Sequence, residues 1–253
     1  MRKALVIANW KMNPGDEEEA MRLARHMASF ARRTAFRGLV IAPPFPFLKS
    51  VGGVLGNVIA LGAQDASGEE KGPYTGEVSA GQLKDLGVRF VIVGHSERRM
   101  HWGESNALIG KKMRRVLEEG LTPVLCVGER DRQDGQMSLE VGTQLRAILT
   151  GLPRRMQEHY IIVYEPVWAV STMQGSQPDT PENAFRAKLY IQKIIADLFG
   201  AKNAAAIKVI YGGSVRPENV RGFLREGRMD GVLIGGASLS AKVFLKILQG
   251  VYR

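Results

Sequence analysis

Short, almost continuously apolar runs recur along the chain, and between them the apolar positions change to a spacing of three and four. The runs cover residues 4–8, 39–42, 58–61, 90–93, 122–126, 161–164, 207–211 and 231–234. Runs this short and this apolar suit strands buried on both faces, as in a parallel sheet. Helical stretches between them supply the crossovers that parallel pairing requires. Eight such strands in series, each followed by a helix, predict an α/β fold of the closed (β/α)8-barrel type.

The helical stretches carry their own boundary signals. Asn13 before Pro14 predicts an N-cap and a first-turn proline, Glu17 to Glu19 suit the positive end of the helix, and Ala20, Leu23, Ala24, Met27 and Ala31 share one face. Leu108, Ile109, Met113, Val116 and Leu117 repeat the pattern before Gly120, and Thr180-Pro181-Glu182 opens a further helix. No linker, low-complexity tract or break in composition interrupts the series, so residues 1–253 are read as one catalytic domain.

Composition narrows the class. Apolar residues make up 45% and charged residues 24%, which suits a soluble globular chain with a substantial core. The single cysteine, Cys126, excludes an intrachain disulfide and a cysteine-based metal cluster, which fits a reducing cytoplasm. The first apolar run ends at Asn9, too soon for a secretory segment, and no run approaches the ~18 residues of a membrane span. The net charge of +10 admits nucleic-acid binding, steering of an anionic substrate, or a merely solvated surface. The basic residues come in ones and twos, as at Arg32-Arg33, Lys111-Lys112 with Arg114-Arg115, and Arg154-Arg155, without interleaved aromatics, so a solvated surface is preferred to a nucleic-acid groove.

In a βα barrel, chemistry collects where the carboxyl ends of the strands meet the loops. Asn9 and Lys11 follow the first run, His95 the fourth and Glu165 the sixth; glycine pairs follow the seventh and eighth. Singly, each has a plainer explanation: a rim carboxylate, a packed histidine, a tight turn. Together they converge on one mouth. Tyr211-Gly212-Gly213-Ser214 and Ile234-Gly235-Gly236-Ala237 offer backbone N–H groups that no side chain shields, suited to a phosphate. A Lys, a His and a Glu beside such a grip suggest proton abstraction next to a carbonyl, with no metal and no cofactor. His26, His101 and His159 are read as surface or packing residues, on a helix face, on a loop and before a strand.

Asn9-Trp10-Lys11-Met12-Asn13, Gly94-His95-Ser96-Glu97-Arg98-Arg99, Tyr164-Glu165-Pro166-Val167-Trp168-Ala169, Tyr211-Gly212-Gly213-Ser214-Val215 and Gly235-Gly236-Ala237-Ser238-Leu239 resemble, in order, the signature segments of the triosephosphate isomerase family. Gly76-Glu77-Val78-Ser79 and Leu125-Cys126-Val127-Gly128-Glu129 match as well, so the resemblance runs from the first strand to the last helix. It implies an aldose–ketose isomerase acting on triose phosphates in glycolysis and gluconeogenesis. Glu165 would be the base, His95 the electrophile, Lys11 and Asn9 the stabilisers of the enediolate, and Glu97 a partner of Lys11 in proton traffic. Ser171, Ser214, Gly235 and Gly236 would hold the phosphate by backbone groups, and Cys126 would be a buried support. The loop from Asp65 to Ser79, with Tyr74 and Thr75 near its tip, would enter a second subunit and make a homodimer.

One segment departs from the family. Where its members carry Ala-Ile-Gly-Thr-Gly-Lys-Thr-Ala before Thr-Pro, this chain has residues 169–179 before Thr180-Pro181, with two lid glycines and the lid lysine replaced. An isomerase for a longer aldose or ketose phosphate therefore stands beside the triose reading. A non-catalytic barrel that binds phosphate or nucleic acid stands further off, since a binding module needs no base.

Overall fold

The computed structural model describes residues 4–131, 139–170 and 177–252. Among them the strands β1 (Leu5–Asn9), β2 (Leu39–Ala42), β3 (Ala60–Ala63), β4 (Phe90–Val93), β5 (Thr122–Val127), β6 (Ile161–Tyr164), β7 (Lys208–Tyr211) and β8 (Gly231–Ile234) form a closed parallel barrel in sequence order. β8 closes on β1 through pairs such as Val6 with Val232 and Ala8 with Ile234. This is the (β/α)8 architecture predicted from the runs. The third strand lies two residues later than the apolar run suggested, because Val58 and Ile59 belong to the approach from the preceding helix.

The helices are α1 (Glu17–Thr34), α2 (Leu48–Leu55), α3 (Ala80–Asp85), α4 (Ser96–Trp102), α5 (Asn106–Glu118), α6 (Leu139–Leu149), α7 (Pro181–Phe199), α8 (Ala201–Ala206), α9 (Val220–Arg225) and α10 (Ala241–Tyr252). α1 starts later than Asn13-Pro14 predicted: its N-cap is Asp16, whose carboxylate accepts the Glu19 N–H at 2.8 Å, and the Pro14 turn stays outside the helix. α7 opens as expected, with the Thr180 hydroxyl accepting the Asn183 N–H. His101 belongs to α4 rather than to a loop.

Pleating divides the apolar side chains into two layers. Leu5, Ile7, Val40, Ile92, Val124, Cys126, Ile161, Val163, Ile210 and Leu233 fill the inside of the barrel, and a larger set lies between strands and helices. The sequence had assigned Lys111-Lys112 to the solvated surface. Lys111 is exposed, but Lys112 is buried on the inner face of α5, beside Ile109, Met113 and Val116, while Leu108 is turned outward. The 3.6-residue period puts position 112 on the apolar stripe, and the lysine is tolerated there because it meets two carboxylates.

Candidate active site

The alternation that fills the barrel also aims its polar residues. Leu5 and Ile7 point inward, and Asn9 continues their side of β1; Ile161 and Val163 point inward, and Glu165 follows two residues on. At β4 the parity is reset by Gly94, whose φ of 70° bends the chain and lets His95 begin α4.

Glu165 and His95 meet in the mouth. The His95 Nε2 stands 3.1 Å from Glu165 Oε1, both side chains being buried. His95 Nδ1 accepts the Glu97 N–H at 3.3 Å, so the hydrogen on this ring is at Nε2, facing the carboxylate. Two further donors, the Ser96 N–H and hydroxyl, each reach Glu165 at 3.0 Å. Ser96 was not singled out from sequence; its signal is its place in the first turn of a helix directly after His95.

Lys11 approaches from β1. Its φ of 54° is unusual for a side-chain-bearing residue, and the backbone is held there from both sides. Asn9 Oδ1 accepts the Lys11 N–H at 3.0 Å, and Gln64 Nε2 donates to the Lys11 carbonyl at 2.7 Å and to that of Ala42 at 2.9 Å. Gln64 is a second residue missed in the sequence. The Lys11 ammonium lies 2.6 Å from Glu97. Burial pushes the Glu97 carboxyl up, but the Lys11 hydrogen bond and the surrounding positive charges outweigh it and hold the carboxyl below its ordinary value. Glu97 is therefore a fixed anion near neutrality, suited to aiming Lys11 more than to passing a proton.

The two glycine loops close the ring. A Cβ at Gly235 would come within 3.1 Å of Lys11 Cε, so a residue with a side chain there would crowd the ammonium. Gly213 makes room for the Tyr211 hydroxyl. Gly236 has open space around it, and the Ser214 N–H and hydroxyl donate to the Ala169 carbonyl at 3.2 and 2.7 Å, tying the β7 loop to the segment after β6. Ser171 lies outside the described residues, as does the rest of 171–176. Cys126 is buried in the inner layer, and burial first, then the Glu165 charge, push its thiol well up, which rules out a thiolate nucleophile. Among the described residues no group of His, Cys, Asp and Glu could hold a metal ion.

A carboxylate, an imidazole N–H and an ammonium at the carboxyl ends of β6, β4 and β1 are the equipment of a proton-transferring barrel enzyme. The family model for triosephosphate isomerase matches residues 4–251, and the chain belongs to that family. Proteins named triosephosphate isomerase from Treponema pallidum (strain Nichols), Thermus thermophilus and Caldanaerobacter subterraneus are similar to it at 44%, 41% and 39% identity. These alignments cover 99%, 98% and 98% of this chain and 100%, 99% and 100% of the relatives. The chain is an isomerase.

Proposed function

We propose that the chain interconverts dihydroxyacetone phosphate and D-glyceraldehyde 3-phosphate through an enediolate. The observation that carries this reading is the 3.1 Å approach of His95 Nε2 to Glu165 at the mouth that also holds Lys11. Glu165 leaves its Ser96 donors and takes the proton from the carbon beside the carbonyl, then returns it to the neighbouring carbon. His95 Nε2–H polarises the carbonyl oxygen, and Lys11, positioned by Asn9 and Glu97, offsets the charge that develops. A general base contributes about 10²–10⁴-fold, so preorganised donors must supply much of the remaining acceleration. Ser214, Gly235 and Gly236, with Ser171, bind the phosphate, whose binding energy holds the triose in register.

Coupled assays with both triose phosphates, then with four-carbon analogues, test the substrate. We expect turnover of the trioses to exceed that of the longer sugars, and isomerisation to exceed loss of phosphate to methylglyoxal. Faster turnover of a four-carbon substrate, or elimination equal to isomerisation, would overturn the triose assignment.

We further propose that one catalytic domain spans residues 1–253, that it works in the cytoplasm, and that it is a homodimer. Residues 70–77 are all exposed, including Tyr74, while the base of the loop is pinned by Asp65 to Lys112 and Arg98 and by Glu69 to Lys111. A braced projection of this kind is preorganised for insertion into a partner. Met12, beside Lys11, is 93% exposed and supplies apolar surface next to the site. Light scattering at micromolar concentration is expected to give twice the chain mass; a fully active monomer would refute the dimer. No helix of the described residues is long and apolar enough to cross a membrane.

A further inference from the structure

The pairing of β4 with β5 stops just before the chemistry begins. Its last pair is Val93 with Leu125, so Gly94 and Cys126 are the next residues on the two strands, at the mouth, and His95 follows directly after Gly94. Arg99 takes over where the ladder ends. It lies one turn into α4, with its N–H on the His95 carbonyl at 3.2 Å, and its side chain turns back over the strand ends. Nε donates to the Gly94 carbonyl at 2.8 Å and Nη2 to the Cys126 carbonyl at 3.3 Å, while Asn106 Oδ1 at the start of α5 accepts from Nη1 at 2.7 Å. The planar fork thus joins two carbonyls that, both being acceptors, cannot bond each other. A Cβ at Gly94 would come within 3.1 Å of Arg99 Nη2, so glycine there serves this clasp as well as the turn.

The Cys126 side of the clasp is firm. The Val127 carbonyl accepts the Glu165 N–H at 2.8 Å, and the Gln144 side-chain amide from α6 pairs with Gly128 in both directions, at 3.0 and 2.9 Å. Gly128 packs so closely that a Cβ there would overlap the Glu165 carbonyl. The end of β5 and the backbone of Glu165 therefore hold together, and what Arg99 fixes against them is Gly94 and, with it, His95. All three acceptors of Arg99 are neutral oxygens, so its hydrogen bonds are not those of a salt bridge. Burial, the largest influence, holds the guanidinium below its ordinary value, and more distant carboxylates offset this only in part. A cation kept in such a place calls for a purpose.

We infer that Arg99 is a positioning residue for the isomerase reaction: by clasping the carbonyls of Gly94 and Cys126 it sets His95 at its 3.1 Å approach to Glu165. The electrophile must face a carbonyl oxygen while the base faces the carbon beside it, so the spacing of the two side chains governs the chemical step. The donors and glycine loops that hold the phosphate lie on other strands, β7 and β8, and do not depend on the clasp. Asn106 holds the third corner of the guanidinium and keeps the fork in its plane.

The catalytic part of this inference rests on the isomerase reading; the clasp does not, and a measurement without substrate separates the two. Arg99→Lys keeps a cation but has one nitrogen where the fork has three, and cannot span both carbonyls. Its kcat is expected to fall about tenfold or more, a misplacement near 1 Å costing up to about 10²-fold, with KM within about twofold of the unsubstituted enzyme. Without substrate and at one fixed pH, the His95 ring nitrogens, labelled with ¹⁵N and followed through the ring carbon protons, should show a displaced Nε2 resonance in Arg99→Lys. The chain has four histidines, and His95→Gln identifies the signal. Asn106→Ala, which leaves Arg99 in place and frees one corner of it, should change both readings in the same direction and by less. An unmoved Nε2 resonance in Arg99→Lys overturns the clasp, and a kcat within twofold of the unsubstituted enzyme, or a loss carried in KM alone, overturns its part in the reaction. If Arg99→Lys does not fold, an Asn106→Ala protein with unchanged Nε2 resonance and unchanged kcat overturns the inference instead. Should the unsubstituted chain fail to isomerise trioses, the isomerase reading falls, and the Nε2 resonance still decides the clasp.

Discussion

Replacing Glu165 by Gln is expected to lower kcat by about 10²–10⁴-fold with KM little changed, because the base is lost while the donors that bind substrate remain. The local structure favours a folded variant. Glu165 Oε1 takes two donors, from Ser96 Oγ and His95 Nε2, and Oε2 takes the Ser96 N–H. A glutamine whose amide oxygen occupies the first position keeps both of those bonds, and only its NH₂ group is left facing the Ser96 N–H. One poor contact in a buried site costs about 1–3 kcal/mol, a small part of what holds a barrel of this size. Steady-state kinetics with either triose phosphate, beside circular dichroism of the same preparation, checks both halves. Turnover within tenfold of the unsubstituted enzyme would remove Glu165 from the role of base.

The barrel was legible because its signal is a period: strands buried on both faces read as apolar runs, and the runs at 39–42, 90–93, 161–164 and 231–234 coincide with β2, β4, β6 and β8. Asn9, Lys11, His95 and Glu165 were legible for a related reason, being polar residues where an apolar strand stops. What the sequence hid is whatever depends on contacts between distant segments. Ser96, Gln64 and Glu129 look like ordinary polar loop residues until folding sets them against Glu165, the Lys11 carbonyl and Trp168. The start of α1 was misplaced because Asn13-Pro14 and Asp16 are both good caps, and local preference cannot choose between them. Lys112 was assigned to the surface because a charged residue in a basic stretch is usually solvated. Nothing local to α5 shows that Asp65 and Glu104 wait beneath it.

Lys112 is where the largest loss of stability is expected. Its ammonium lies 2.9 and 2.7 Å from the two oxygens of Asp65 and 2.5 Å from Glu104 Oε1, and Arg98 Nε completes the set at 2.8 Å from Asp65 and 2.6 Å from Glu104. Two cations thus balance two anions in a buried space. Lys112→Met keeps most of the aliphatic stem and so leaves little cavity, but it strands one negative charge, a change that costs about 3–5 kcal/mol in such sites. The pH dependence identifies the cause. Burial pushes Glu104 up, but its hydrogen bonds to Lys112 and Arg98 outweigh this and hold it below its ordinary value, so in the unsubstituted protein it stabilises above about 4.5 and that contribution fades in acid. Burial already leaves Asp65 above its ordinary value despite Lys112, and loss of the lysine raises both carboxyls. In the variant the penalty is therefore full at neutral pH and shrinks as protons neutralise the carboxylates. Urea unfolding of the two proteins at one concentration, at pH 7.5 and at pH 4.5, should show a wide gap that narrows in acid. Because Asp65 anchors the loop with Tyr74 and Arg98 belongs to the helix that begins beside His95, the variant should also lose activity before it unfolds. A gap below about 1 kcal/mol at pH 7.5, or one of equal size at both pH values, would mean that packing and not charge balance is what Lys112 contributes.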